Sequence, residues 1–128
     1  MPISQYIAFL TFFICMSTYA SESDDIDHHQ KSAQEYLHNY GIAYCLSKAE
    51  RYREEAGIAM GGYFQLGQHG NDTQKLVRAY IDRQLEANLG GYKDKKMKAY
   101  LMRCLEISYS TQYRNYIKDV YALDVIEN

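Results

Sequence analysis

Apolar side chains recur along this chain at three- and four-residue spacing, the period of packed helices, and no stretch alternates as a strand would. From about Ser32 to Arg51, Leu37, Gly41, Cys45 and Ala49 fall on one stripe, with Tyr40 and Tyr44 beside it. A second stretch, about Glu54 to Leu66, carries Ala56, Ala59, Met60, Tyr63 and Phe64. Gly57, Gly61 and Gly62 lie inside it. Each lowers helicity by about 1 kcal/mol relative to alanine, which predicts another backbone passing close by. The third stretch follows Asn71-Asp72 and has the cleanest amphipathic pattern, with Leu76, Val77, Tyr80, Ile81, Leu85 and Leu89. Asn71 and Gln74 approximate a capping box at its start, and Gly90-Gly91 stops it. The fourth stretch turns Met97, Tyr100, Leu101, Cys104 and Leu105 inward. The last, capped by Ser110 or Thr111, has a stripe of Tyr113, Tyr116, Ile117, Val120 and Tyr121. Short connections make neighbouring helices mostly antiparallel, so the fold class is all-α: a small helical bundle of about five helices.

The beginning of the chain breaks this pattern. Residues 1–20 contain no charged side chain, and Tyr6–Met16 is a continuous apolar run. It is too short to span a bilayer, which needs about 20 apolar residues. Thr18-Tyr19-Ala20 ends it with a small residue, so residues 1–20 read as a signal peptide cleaved before Ser21. The run is not preceded by Lys or Arg, and the alternative is a buried N-terminal helix or an uncleaved anchor. Residues 21–30 (SESDDIDHHQ) are polar and acidic and read as a disordered lead-in, leaving 31–128 as a single helical domain. The cysteines suit export. Cys15 would leave with the signal peptide, and Cys45 and Cys104 remain as an even number in an oxidising compartment, for which one disulfide is the default.

Composition narrows the function classes. Hydrophobic residues make up 47% and charged ones 23%, with a net charge of -2, as in an ordinary soluble globule. No basic stripe exists to neutralise phosphates, so nucleic acid is not an expected partner. No glycine spacing suits a phosphate and no Gly-x-Ser-x-Gly motif occurs, so no cofactor and no enzymatic activity are expected. His28-His29 lie in the acidic lead-in, whereas a metal site needs three or four ligands converging on an ordered scaffold; no metal site is expected. His38 precedes Cys45 by two helical turns, about 10 Å along the axis and out of hydrogen-bonding reach. His69 stands alone in a loop. The tyrosines point elsewhere. There are 14 of them and no tryptophan, and a domain of this size struggles to bury so many hydroxyls. Tyrosine is enriched at protein interfaces, being apolar with a polar tip. Tyr92 and Tyr109 lie between helices, where core packing explains them least, and suggest a binding surface.

Three segments carry a resemblance to a known family. Asn39-Tyr40-Gly41-Ile42-Ala43-Tyr44-Cys45-Leu46-Ser47-Lys48-Ala49 resembles the first-helix motif of type VI secretion amidase immunity proteins of the fourth family. Ala59-Met60-Gly61-Gly62-Tyr63-Phe64-Gln65-Leu66-Gly67 is similar to that family's Gly-Gly-Tyr segment. Leu101-Met102-Arg103-Cys104-Leu105-Glu106-Ile107-Ser108-Tyr109-Ser110 is similar to its Cys-containing fourth helix. The resemblance spans about Tyr36 to Tyr121. It implies a periplasmic helical homodimer, with no membrane attachment after signal cleavage, that inhibits a cognate peptidoglycan amidase. The enzyme it implies has a papain-like Cys/His site and cuts between D-glutamate and meso-diaminopimelate. The resemblance implies occlusion of the amidase groove by a protruding loop and adjoining helix surface. It also implies a disulfide between Cys45 and Cys104, and a close-packing role for Gly61, Gly62 and Tyr63.

Two surfaces are expected to meet the partner. Ser108, Tyr109, Ser110, Thr111 and Gln112 form a loop with one aromatic and small polar groups, suited to a narrow groove. The turn holding Tyr92, Lys93, Lys95 and Lys96 suits an acidic rim. The alternative is a periplasmic helical binding module or inhibitor for another envelope client.

Overall fold

A computed structural model describes residues 19–88 and 98–127. Five α-helices account for nearly all of them: α1 (Tyr19–Ser47), α2 (Arg53–Gly67), α3 (Asn71–Asn88), α4 (Tyr100–Tyr109) and α5 (Thr111–Glu127). A 3-10 turn, Glu50–Tyr52, links α1 to α2. The all-α expectation holds, and no strand occurs among the described residues. Two compact units divide the chain, Met1–Ser32 and Ala33–Asn128. The apolar run Tyr6–Met16 lies outside the described residues.

Within the first unit, the described residues from Tyr19 onward are helical. The stretch 21–30, read from the sequence as a disordered lead-in, lies within the bounds of α1. The sequence from Ser21 to Tyr40 contains no proline or glycine, so no residue there forbids helix once one is propagating.

Helices α1, α3, α4 and α5 supply the core of the second unit. Leu37 and Cys45 of α1, Val77 and Ile81 of α3, Cys104 of α4 and Tyr113 of α5 are its largest fully buried side chains. Around them lie Tyr40, Tyr80, Leu85, Ile107, Ile117 and Val120. On α3 the buried positions 77, 80, 81 and 85 follow helical spacing, as the sequence predicts; Leu76 instead faces solvent. Cys45 and Cys104 form a disulfide joining α1 to α4. Tyr80 packs its ring on Tyr116 at 4.4 Å and on Tyr113 at 5.6 Å between centroids.

Burial pushes the phenols of Tyr40, Tyr80 and Tyr113 above the ordinary tyrosine value, with Arg78 offsetting part of this at Tyr40 and Arg103 at Tyr80. Because the folded values lie above the unfolded one, the fold favours the neutral form. The stability these three groups contribute is whole below about pH 10 and is lost as pH rises beyond that. Denaturant midpoints measured from pH 7 upward should hold to about pH 10 and then fall; a flat profile into stronger base would contradict the assignment.

The glycines divide into two kinds. A Cβ at Gly41 would overlap the Tyr113 hydroxyl and approach Val77 Cγ1 to 2.6 Å. Gly57, Gly61 and Gly62 have nothing within 4 Å of an added Cβ. The close-packing expectation for Gly61 and Gly62 is therefore not met inside the chain: both are exposed, because α2 turns Ala56 inward and this face outward. Tyr63 is half-buried on the other side, 6.4 Å from the Tyr36 ring. Gly61→Ala or Gly62→Ala should stabilise the monomeric chain by about 0.5–1 kcal/mol through helix propensity alone. Thermal melting at low protein concentration checks this, and a lowered midpoint would show an unseen contact at that face.

Candidate partner-binding surface

The expected loop Ser108–Gln112 is a corner. Ser108 and Tyr109 close α4, Thr111 and Gln112 open α5, and Ser110 alone is non-helical, with φ -69° and ψ 136°. Its hydroxyl explains why the chain turns here. Ser110 Oγ donates to the Ile107 carbonyl at 2.8 Å and accepts the Tyr113 N–H at 3.1 Å, so one side chain closes α4 and caps α5, as its position in the sequence predicts.

The corner throws Tyr109 outward, 72% exposed. Leading to it along α4 are Leu101 and Leu105, at successive four-residue steps, with Met102 alongside; all are exposed. Leu101 and Leu105 were expected to face inward. The apolar arc of α4 is broad, running opposite Arg103 and Glu106 from Ile107 and Cys104 round to Leu105 and Tyr109, and the disulfide fixes which edge of it turns inward. With Cys104 drawn to Cys45, Ile107 follows it inward and the Leu101–Leu105–Tyr109 ridge is left outside. Across the helix from the ridge, Arg103 pairs with Glu106 at 3.1 Å and donates to Gln84 at 3.2 Å.

His38 stands behind the corner. Its Nε2 lies 3.1 Å from the Ser108 carbonyl, its Nδ1 lies 3.2 Å from the Asn39 side-chain oxygen, and its ring centroid is 4.9 Å from that of Tyr113. Tyr113 donates its hydroxyl to the His38 backbone carbonyl at 2.8 Å.

Two further polar clusters tie elements together. At the end of α1, Lys48 donates to the Tyr44 hydroxyl at 2.7 Å and pairs with Asp82 at 3.0 Å, while Tyr44 donates to Asp82 at 3.0 Å. Desolvation pulls the Lys48 ammonium down, but these bonds outweigh it and hold the group above its ordinary value. The cluster edges an open cleft lined by Leu85, Glu86, Lys98 and Tyr100, with charges of both signs and no single ligand chemistry. In the second cluster, buried His69 places Nε2 2.9 Å from the Ala33 carbonyl and Nδ1 3.4 Å from Asp124. Thr73 donates to the same carboxylate at 2.7 Å. In the sequence His69 stands alone in a loop, because its partners are 36 and 55 positions away and give no local signal. Among the described residues, no group of three or more His, Cys, Asp or Glu side chains is placed to hold a metal ion. The expected basic turn with Tyr92, Lys93, Lys95 and Lys96 lies outside the described residues.

The model of the Tai4 family, type VI secretion system (T6SS) amidase immunity protein, matches residues 35–117, more than half of the chain. The chain belongs to the Tai4 family. Comparison with curated proteins and with solved structures returned no match. The Tai4 match runs from the buried part of α1 through the disulfide and the Tyr109 corner into α5. Membership makes the chain an amidase immunity protein whose partner is a T6SS amidase, in agreement with the resemblance seen in the three sequence segments. Large apolar side chains stand exposed in groups on three helices among the described residues: Leu101, Met102, Leu105 and Tyr109 on α4, Ile58, Phe64 and Leu66 on α2, and Leu123, Val125 and Ile126 on α5.

Proposed function

We propose that this chain neutralises its cognate peptidoglycan amidase in the periplasm by steric occlusion, placing the Tyr109 corner across the enzyme's groove. The observation that carries the reading is the exposure of Tyr109 at the tip of the Leu101–Leu105 ridge. A rigid aromatic at the end of an apolar strip, beside small polar Ser110, Thr111 and Gln112, fits a narrow cleft better than a flat surface. Residues 1–20 supply export as a cleaved signal peptide, and no helix among the described residues is long and apolar enough to cross a membrane. Tyr92 with Lys93, Lys95 and Lys96 extends the contact toward an acidic rim.

The chain acts as a homodimer in this reading. The outward face of α2 supports it, because Gly57, Gly61 and Gly62 let a second backbone approach beside exposed Ile58 and Leu66. Bulky substitutions there, such as Gly61→Leu, should shift the protein toward monomer in light scattering.

The test is an amidase assay on peptidoglycan with purified oxidised protein titrated into the cognate enzyme. Activity should fall to zero at stoichiometric inhibitor. Tyr109→Ala should weaken inhibition by about 30-fold or more, the range of a central aromatic hot spot. An amidase that stays active at excess wild-type protein would end the occlusion reading.

A further inference from the structure

We infer that His38 is a positioning residue for the partner-binding corner, gripping both of its flanks so that Tyr109 is presented in one orientation. This rests on the reading of the corner as the amidase contact. The argument starts from what a corner of one residue leaves unmade. The last four carbonyls of a helix have no intrahelical donor, and Ser108 contributes one of them to α4. His38 Nε2 meets that carbonyl at 3.1 Å. A carbonyl only accepts, so Nε2 carries the proton and donates, whether the ring is neutral or charged. The bonded residue is the one immediately before Tyr109.

On the far flank the same residue acts through its backbone. The His38 carbonyl accepts the hydroxyl of fully buried Tyr113 at 2.8 Å, and the His38 and Tyr113 rings lie 4.9 Å apart. Tyr113 in turn gives its N–H to Ser110. His38 thus binds both arms of the turn to α1, across 70 and 75 positions of sequence, while Tyr109 itself is left free to meet a partner. Ordering a mobile surface element on binding costs affinity, and fixing it beforehand removes that cost.

The test uses the full oxidised protein and the cognate amidase, with Kd and melting temperature measured for every variant. His38→Ala should weaken binding about ten-fold. His38→Gln, whose amide can still donate to Ser108, should stay within about three-fold of wild type. In a Tyr109→Ala background, His38→Ala should cause no further loss, because there is no side chain left to orient. Losses that multiply in the double variant, or His38→Ala binding like wild type, would overturn the positioning role. If Tyr109→Ala itself leaves Kd unchanged, the corner is not the contact and both readings fall together. Should His38→Ala not fold, His38→Asn, too short to reach Ser108, replaces it with the same expected loss.

Discussion

Removing the disulfide, by Cys45→Ala with Cys104→Ala, is expected to lower the melting temperature by about 20 °C. The bond joins residues 59 positions apart. In the chain-entropy model, a loop of that length withdraws about 4 kcal/mol from the unfolded state. That is a large share of the roughly 5–15 kcal/mol that holds a domain together. The folded state loses as well, since both cysteines are fully buried and the bond sets which face of α4 turns inward. Wild-type protein unfolded in reductant and refolded without reoxidation should melt like the double variant. Equal melting temperatures for reduced and oxidised wild type would remove the bond from the account of stability. A reduced protein should also inhibit the amidase less well, because α4 carries the exposed ridge.

Gly41→Ala should destabilise by about 2–3 kcal/mol, although alanine is the better helix former. Helix propensity favours the substitution by about 1 kcal/mol. Against that stands space. The new methyl would occupy the position of the Tyr113 hydroxyl and press on Val77, 2.6 Å away. Tyr113 has nowhere to go: it is fully buried, stacked on Tyr80, and held by its bond to the His38 carbonyl. Forcing it aside costs about 1–3 kcal/mol of overpacking and leaves a buried hydroxyl short of its partner. Tyr113→Phe removes the clashing oxygen. Alone it should cost about 1 kcal/mol, yet in the Gly41→Ala background it should recover part of the loss, the contact with Val77 remaining, a coupling that denaturant titration of the four proteins measures. If Gly41→Ala proves neutral or stabilising, as expected of Gly61→Ala, the close approach of Tyr113 to α1 is wrong.

These two glycine behaviours show where sequence reasoning reaches and where it stops. The sequence predicts close approach at the glycines of α2, yet it is Gly41 of α1 that a tyrosine hydroxyl meets. At Gly61 and Gly62 the same residue type carries no such neighbour within the chain. Which neighbour a glycine meets is a property of the fold, not of the glycine. The helices themselves were legible because burial sets their period, and α3 shows it in Val77, Tyr80, Ile81 and Leu85. Helix α4 was legible as a helix but not in its rotation, since Leu101, Met102 and Leu105 are as apolar as Cys104 and Ile107. At the candidate site, Tyr109 stood out as an aromatic between helices. Its setting did not: the one-residue corner depends on the bonds of Ser110, and His38 meets it only after the chain has folded back across 70 residues.

The His69 cluster bears on how small a functional piece of this protein can be made. Both groups flanking the imidazole, the Ala33 carbonyl and the Asp124 carboxylate, fall just outside the stretch 35–117 shared with the Tai4 family, one beyond each end. A fragment trimmed to that stretch would keep the disulfide and the Tyr109 corner. It would also leave a buried ring with two idle nitrogens and Thr73 without its acceptor. The smallest soluble fragment should therefore need both margins, and an affinity tag belongs beyond Glu127, not in place of the last turns of α5.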